Sequence, residues 1–112
     1  MRIDYLILLL AIAYIVWRFG SAWMVRRRLP ELMKEGAQLV DVRSVAEFAG
    51  GNVAGSVNIP LDEITLRATE LDPQKWVVVF CASGTRSALA RRKLKSLGFG
   101  KVANAGSWRS LR

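Results

Sequence analysis

The sequence predicts an α/β domain with a central, mainly parallel sheet flanked by helices, preceded by one transmembrane helix. Three observations carry that prediction. Residues 76–80, Trp-Val-Val-Val-Phe, are apolar at every position, as suits a strand buried on both faces of a parallel sheet. From residue 38 onward, short apolar runs alternate with helical segments, the pattern of strand-helix-strand crossovers. Residues 5–25 form an apolar stretch of 21 residues broken by a single charge, Arg18.

The apolar stretch comes first. As a helix it reaches roughly 31 Å, close to the ~30 Å hydrocarbon core of a bilayer. Its ten Leu, Ile, Val and Phe residues favour insertion by roughly 3–6 kcal/mol, against at most about 3 kcal/mol for an arginine at the bilayer centre. Arg18 lies past the midpoint, where it is expected to snorkel to the interface, and Trp17 and Trp23 are interfacial aromatics. A cleaved signal peptide is the rival, since Gly20-Ser21-Ala22 has the small-x-small form of a cleavage site. Against it, Arg26-Arg27-Arg28 follows at once and resists translocation. A buried core helix fits poorly, because the remaining chain is too short to cover a helix apolar on all sides. The same arginines, with Lys34, outweigh Arg2 and the terminal amine and point residues 26–112 to the cytoplasm. The expectation is a single-pass protein, of a bacterial inner membrane, with its C-terminal domain cytoplasmic. Residues 1–28 form the anchor and basic flank, 29–36 a short connecting helix with Pro30 in its first turn and Gly36 as its stop, and 37–112 the domain.

Within the domain, residues 38–42 read as a short buried strand. Ser44-Val-Ala-Glu47 fits a capping box, so a brief helix follows, ended by Gly50-Gly51. Residues 56–59 form a second short strand stopped by Pro60. Asp62 caps a helix running to about Leu71, with Ile64, Ala68 and Leu71 on one face. Residues 76–80 are the central strand, and 87–97 a helix with Ala90, Leu94 and Leu97 inward. Gly98-Phe99 is a Schellman stop, and residues 101–104 are the last strand.

Composition bounds the chemistry. One cysteine, Cys81, and no histidine exclude an internal disulfide, a Cys/His zinc site, a Ser-His-Asp triad and a Cys-His dyad. The net charge of +8 invites nucleic acid or an anionic membrane surface as partner. The arginine triplet beside the apolar stretch accounts for much of it, and no aromatic-basic interleaving supports nucleic acid. Membrane lipid, through residues 5–25, is the expected partner.

Cys81 stands at the C-terminal end of the strongest strand, where open α/β sheets bind ligands. The segment Cys81-Ala82-Ser83-Gly84-Thr85-Arg86-Ser87 then joins strand to helix. Such a loop curls so that backbone amides meet at one spot, an anion-binding nest. Amides, helix dipole and Arg86 would hold the thiol as thiolate, a nucleophile that needs no histidine base.

The chain resembles the rhodanese-like domains from about Gly36 to Trp108. The resemblance rests on Leu39-Val-Asp-Val-Arg43, Glu47-Phe48, Gly51-Asn-Val-Ala-Gly-Ser-Val-Asn-Ile-Pro60, Val78-Val-Phe-Cys-Ala-Ser-Gly-Thr-Arg-Ser87 and Leu97-Gly-Phe99, in that order. It implies a central sheet flanked by helices and a catalytic cysteine, matched by Cys81, that becomes a persulfide. Sulfane sulfur passes from a donor such as thiosulfate to a cyanide or thiol acceptor, with residues 82–87 as the substrate- and anion-binding loop. No metal or other cofactor is implied. Asp41, Arg43 and Glu47 read as structural ties between the strand end and the neighbouring loop. Asn52 stands where the family often has histidine. The chain stops soon after Gly106-Ser-Trp108, where many members carry a double glycine and a longer last helix, so the domain is expected to lean on its membrane setting. Two other readings remain: a cysteine phosphatase, which needs Cys-x5-Arg where this chain has Cys81-x4-Arg86, and a non-catalytic docking module at the membrane.

Overall fold

The computed structural model describes residues 2–112. A long helix, α1 (Arg2–Lys34), leads into an alternating unit. Its elements are β1 (Gln38–Asp41), α2 (Val45–Ala49), β2 (Val57–Asn58), α3 (Ile64–Arg67), β3 (Val77–Cys81), α4 (Thr85–Ser96) and β4 (Val102–Ser107). The four strands form one sheet in the order β2-β1-β3-β4, and every neighbouring pair is parallel. The predicted α/β class and parallel sheet stand.

Alternation along β3 builds two cores. Val77, Val79 and Cys81 face one side, with Ile64 of α3, Ala68 and Leu71 beyond its end, and Ala90 and Leu94 of α4. Val78 and Phe80 face the other, with Ala105, Trp108 and Leu32 of α1. A strand that feeds both layers has no polar face to spare, so the run 76–80 had to be uniformly apolar.

The capping box forms as expected: the Glu47 amide donates to Ser44 Oγ at 3.2 Å, and the Ser44 amide to Glu47 Oε1 at 3.1 Å. The Schellman stop also forms. Gly98 has φ +98°, the Phe99 amide donates to the Leu94 carbonyl, and that of Gly98 to Lys95.

Four elements differ from expectation, among them the last strand, which runs over Val102–Ser107 where 101–104 was predicted. The helix predicted over 62–71 is split, with 3-10 turns at Leu61–Glu63 and Ala68–Glu70 around one turn of α-helix, and Asp62 caps nothing. The Leu61 amide is still held by the Val42 carbonyl just beyond β1, so the segment turns tightly off the sheet before it can wind as a helix. The last helix, predicted from Ser87, begins at Thr85 and takes two residues from the loop. The largest difference is α1, which runs unbroken through Pro30. A proline inside a helix costs about 3 kcal/mol. Docking offsets that cost, since Leu32 is buried against the sheet with Val25 and Leu29 partly buried beside it, and a buried leucine contributes roughly 1.5–3 kcal/mol.

The two halves of α1 therefore differ. Residues 2–17 are exposed, and of these Tyr14 and Trp17 border a hollow shared with α4. Residues 18–34 lie along β4 and cover one face of the sheet. By length and composition α1 is able to cross a membrane, but the stretch 5–25 predicted as the span includes a segment whose inner face packs on protein.

Candidate functional site

Cys81 ends β3, fully buried, and the chain then turns through Ala82, Ser83 and Gly84 into α4. Gly84 makes the turn: its φ of +96° lies in the left-handed region, which a side chain enters only at a cost of about 1–2 kcal/mol. The turn brings the Gly84 amide to 2.9 Å from Cys81 Sγ. Ser87, in the first turn of α4, places its hydroxyl 3.4 Å from the same sulfur. Burial alone pushes the thiol up. Hydrogen bonds from the Ser87 hydroxyl and from the Ser87, Ser83 and Gly84 amides outweigh it and hold Cys81 below its ordinary value. The hydroxyl has one proton, and Asn104 Oδ1 at 2.7 Å competes for it. The amides have no such choice and are the dependable donors.

Asn104 was not legible as a site residue. It accepts from Ser87 Oγ and from the Gly106 amide, and its Nδ2 donates to the Gly84 carbonyl at 3.2 Å. One side chain thus ties the strand β4 to both ends of the cysteine turn. It is aimed there by a bulge: Val79 pairs with Asn104 but Cys81 with Ser107, so β4 carries one extra residue in between. Bulges bend a strand and re-aim side chains beside functional loops. The available signal was a polar residue with a glycine two positions on in a short strand.

Arg18 was also read differently. Instead of running to a lipid interface, its Nη2 donates to the Ser83 carbonyl at 3.2 Å and to Thr85 Oγ1 at 2.7 Å. The cation on the outer side of the loop therefore comes from α1. Arg86, expected to act on the thiol, sends its two η nitrogens to Glu47 at 2.7 and 3.0 Å. That pair, first through the Arg86 hydrogen bond and then through the Ser44 amide, holds the Glu47 carboxyl at about 2. Arg86 anchors the start of α4 to α2 and has little freedom to seek an anion.

Asp41 and Arg43 form the structural tie that was expected. Arg43 Nη2 lies 2.7 Å from Asp41 Oδ2, with both side chains buried, and it also donates to the Gly51 carbonyl at 2.7 Å. Trp108 stacks 4.2 Å from the guanidinium. Glu47 joins them only through its carbonyl, since its carboxylate goes to Arg86. Asn52 Nδ2 donates to the Phe48 carbonyl, a local turn contact away from the sulfur. Among the described residues no three His, Cys, Asp or Glu side chains gather into a metal-sized cluster.

Two hollows flank the loop. One of about 620 Å³ touches it at Thr85, and one of about 450 Å³ touches it at Arg86. Cys81 lines neither; a buried sulfur beside the Gly84 amide at the N-terminus of α4 is suited to stabilise negative charge on sulfur.

The description "Rhodanese-like domain" matches residues 26–110, which begins inside α1 and takes in its docked end. The putative sulfur carrier protein YrkF of Bacillus subtilis is 40% identical over 70 residues, covering 62% of this chain but 38% of that protein. The chain thus spans well under half of that relative. The thiosulfate:glutathione sulfurtransferase of Homo sapiens is 34% identical over 107 residues, covering 80% of this chain and 92% of that one. Among solved structures, "rhodanese with anions from E. coli" superposes with a TM-score of 0.61 at 36% identity, covering 66% of this chain and 89% of that one.

Proposed function

The chain belongs to the rhodanese-like domain family, and from that premise we propose that it is a membrane-anchored sulfurtransferase with Cys81 as nucleophile. The Cys81 thiolate attacks the outer sulfur of a donor such as thiosulfate. A new S–S bond forms on Cys81, the donor's S–S bond breaks, and the leaving anion departs with the bonding pair. The outer sulfur of the resulting persulfide is then taken by an acceptor thiolate or cyanide, and the Cys81 thiolate returns. Residues 82–87 work through their backbone: the Ser83, Gly84 and Ser87 amides hold the negative sulfur, and Gly84 allows the turn that aims them. Asn104 holds that turn in place. Arg18, more than Arg86, supplies the cation that attracts an anionic donor to the loop. The reducing cytoplasm, where Arg26, Arg27 and Arg28 direct the domain, keeps the thiol free and provides thiol acceptors.

The observation that carries this reading is the tight turn after β3, which sets the Gly84 amide 2.9 Å and the Ser87 hydroxyl 3.4 Å from the buried Cys81 Sγ. The names of the relatives support sulfur transfer at the level of the family. A phosphatase reading has less support, because the loop is one residue short of Cys-x5-Arg and its arginine is occupied by Glu47. Thiosulfate treatment of the full chain is expected to add the mass of one sulfur atom, removable by a thiol reductant. Cys81→Ser is expected to gain nothing. A wild type that gains no sulfur from any donor, yet keeps partner binding in the variant, would turn the reading toward a docking module.

A further inference from the structure

The larger hollow lies away from the sulfur, between α1 and α4, and its lining is electrically one-sided. Four arginines border it, Arg18 and Arg28 from α1 and Arg91 and Arg92 from α4, and no carboxylate does. None of the four forms an ion pair among the described residues. Arg28 rests on the Trp76 ring at 5.8 Å, and Arg91 donates Nε to the Val102 carbonyl at 2.9 Å. These two guanidiniums are thus positioned by uncharged groups, with their charge left unneutralised. Clustering cations without counter-charge is unfavourable unless an anion completes the site.

The rest of the lining says what kind of anion. Val25 and Leu89 give the hollow apolar walls, and Tyr14 and Trp17 border it toward the free half of α1. Their rings lie 6.3 Å apart. Beyond them the helix is exposed and apolar. Polarity therefore changes in one direction, from arginines beside the domain, through amphipathic aromatics, to bare hydrocarbon. A bilayer changes in the same order, from headgroup through interface to acyl chains. A free phosphate would use only the arginines, and an acidic protein segment would have no use for the apolar end.

We infer that the α1–α4 hollow binds an anionic phospholipid, its phosphate among Arg18, Arg28, Arg91 and Arg92 and its acyl chains running past Trp17 along α1. The inference rests on the reading of α1 as a membrane anchor; it shares Arg18 with the proposed donor site, and its test needs no sulfur chemistry. Thr85 borders both the hollow and the cysteine loop, so the lipid sits beside the site.

The test uses the full chain purified in mild detergent, with no sulfur donor present. Bound lipid is counted by native mass spectrometry after exposure to phosphatidylglycerol or phosphatidylcholine. One phosphatidylglycerol is expected to be retained in preference to phosphatidylcholine. Arg28 and Arg92 are exposed, so Arg28→Gln and Arg92→Gln should leave the fold intact. At about 1 kcal/mol per basic residue near anionic lipid, each should weaken retention roughly five-fold, and the pair roughly thirty-fold. Lys93→Gln with Lys95→Gln removes the same charge from α4 outside the hollow and should change little. Equal retention of both lipids, an equal loss in the lysine variant, or displacement by inorganic phosphate alone would overturn the assignment. Failure of the chain to partition into vesicles of either lipid would instead overturn the anchor reading beneath it.

Discussion

Cys81 illustrates how a lone thiol is changed by its neighbours. Its burial opposes ionisation, and the donors around it reverse that opposition. Because the pKa in the folded protein is lowered, the thiolate fraction at a given pH exceeds that of a free thiol. The alkylation rate of Cys81 should therefore reach half its plateau below the ordinary cysteine value of about 8.5. The absolute rate will be slowed by burial, so the midpoint is the quantity to measure, with Cys81→Ser as blank. A midpoint at or above the ordinary value would reduce Cys81 to a small buried hydrophobe. Cys81, Ser83, Gly84 and Ser87 could be grouped from sequence because they lie within seven consecutive residues. Arg18 and Asn104 lie 63 residues before Cys81 and 23 after it, and no local pattern links them to it. The ion pair of Arg86 with Glu47 was out of sight for the same reason: the two residues are 39 positions apart.

Elements were legible where their own periodicity and caps suffice. The capping box and the Schellman stop depend on four to six adjacent residues, and both form. Bounds moved where a neighbouring element intervened, as at Leu61 and Thr85. The contact between α1 and β4 is the clearest case. Gly106, in the β4 bulge, has φ +80°, and a methyl there would stand 3.1 Å from Ala22 Cβ and 3.3 Å from Arg26 Nη1. Arg26 also donates to the Ala105 carbonyl at 3.0 Å. Gly55 has nearly the same φ, +81°, with open space around it. Gly55→Ala should then cost only the left-handed backbone term, about 1–2 kcal/mol. Gly106→Ala should cost more and loosen α1, seen as faster trypsin cleavage at Arg26, Arg27 and Arg28. Equal stability loss and equal cleavage in the two variants would mean that the helix is not held by this close approach.

At the scale of the molecule, α1 spans about 50 Å, matching the 51 Å long axis of the structure. Only its first half stands free. The exposed stretch 3–17 reaches roughly 22 Å as a helix, shorter than a ~30 Å hydrocarbon core. The domain should therefore ride against the membrane surface, with the outward faces of Phe19, Trp23 and Met24 completing the span. Trp17 and Trp108 give the measurement. In reconstituted vesicles, a variant keeping Trp17 alone should be quenched by lipids brominated in their acyl chains, and one keeping Trp108 alone should not. Trypsin should remove the domain from inverted membrane vesicles and spare it in right-side-out ones. Quenching of neither tryptophan, or the opposite protease pattern, would sink the anchored, cytoplasm-facing arrangement.

The sequence by itself determined the α/β class, the order of strands and helices, the central strand, the capping box, the Schellman stop and the cysteine loop. Each of these rests on interactions between residues a few positions apart, or on an apolar pattern whose period is local. Tertiary structure alone decided that α1 folds back along β4, that Arg18 reaches the loop, that Asn104 ties it, and that Glu47 occupies Arg86. Helix α1 reads as a span because every one of its faces is apolar enough for lipid. That same surface suits the uncovered face of a sheet equally well, and which half meets which depends on Leu32, Ala22 and Gly106 meeting in space. Hydrophobic burial has no direction of its own; only packing tells lipid from protein.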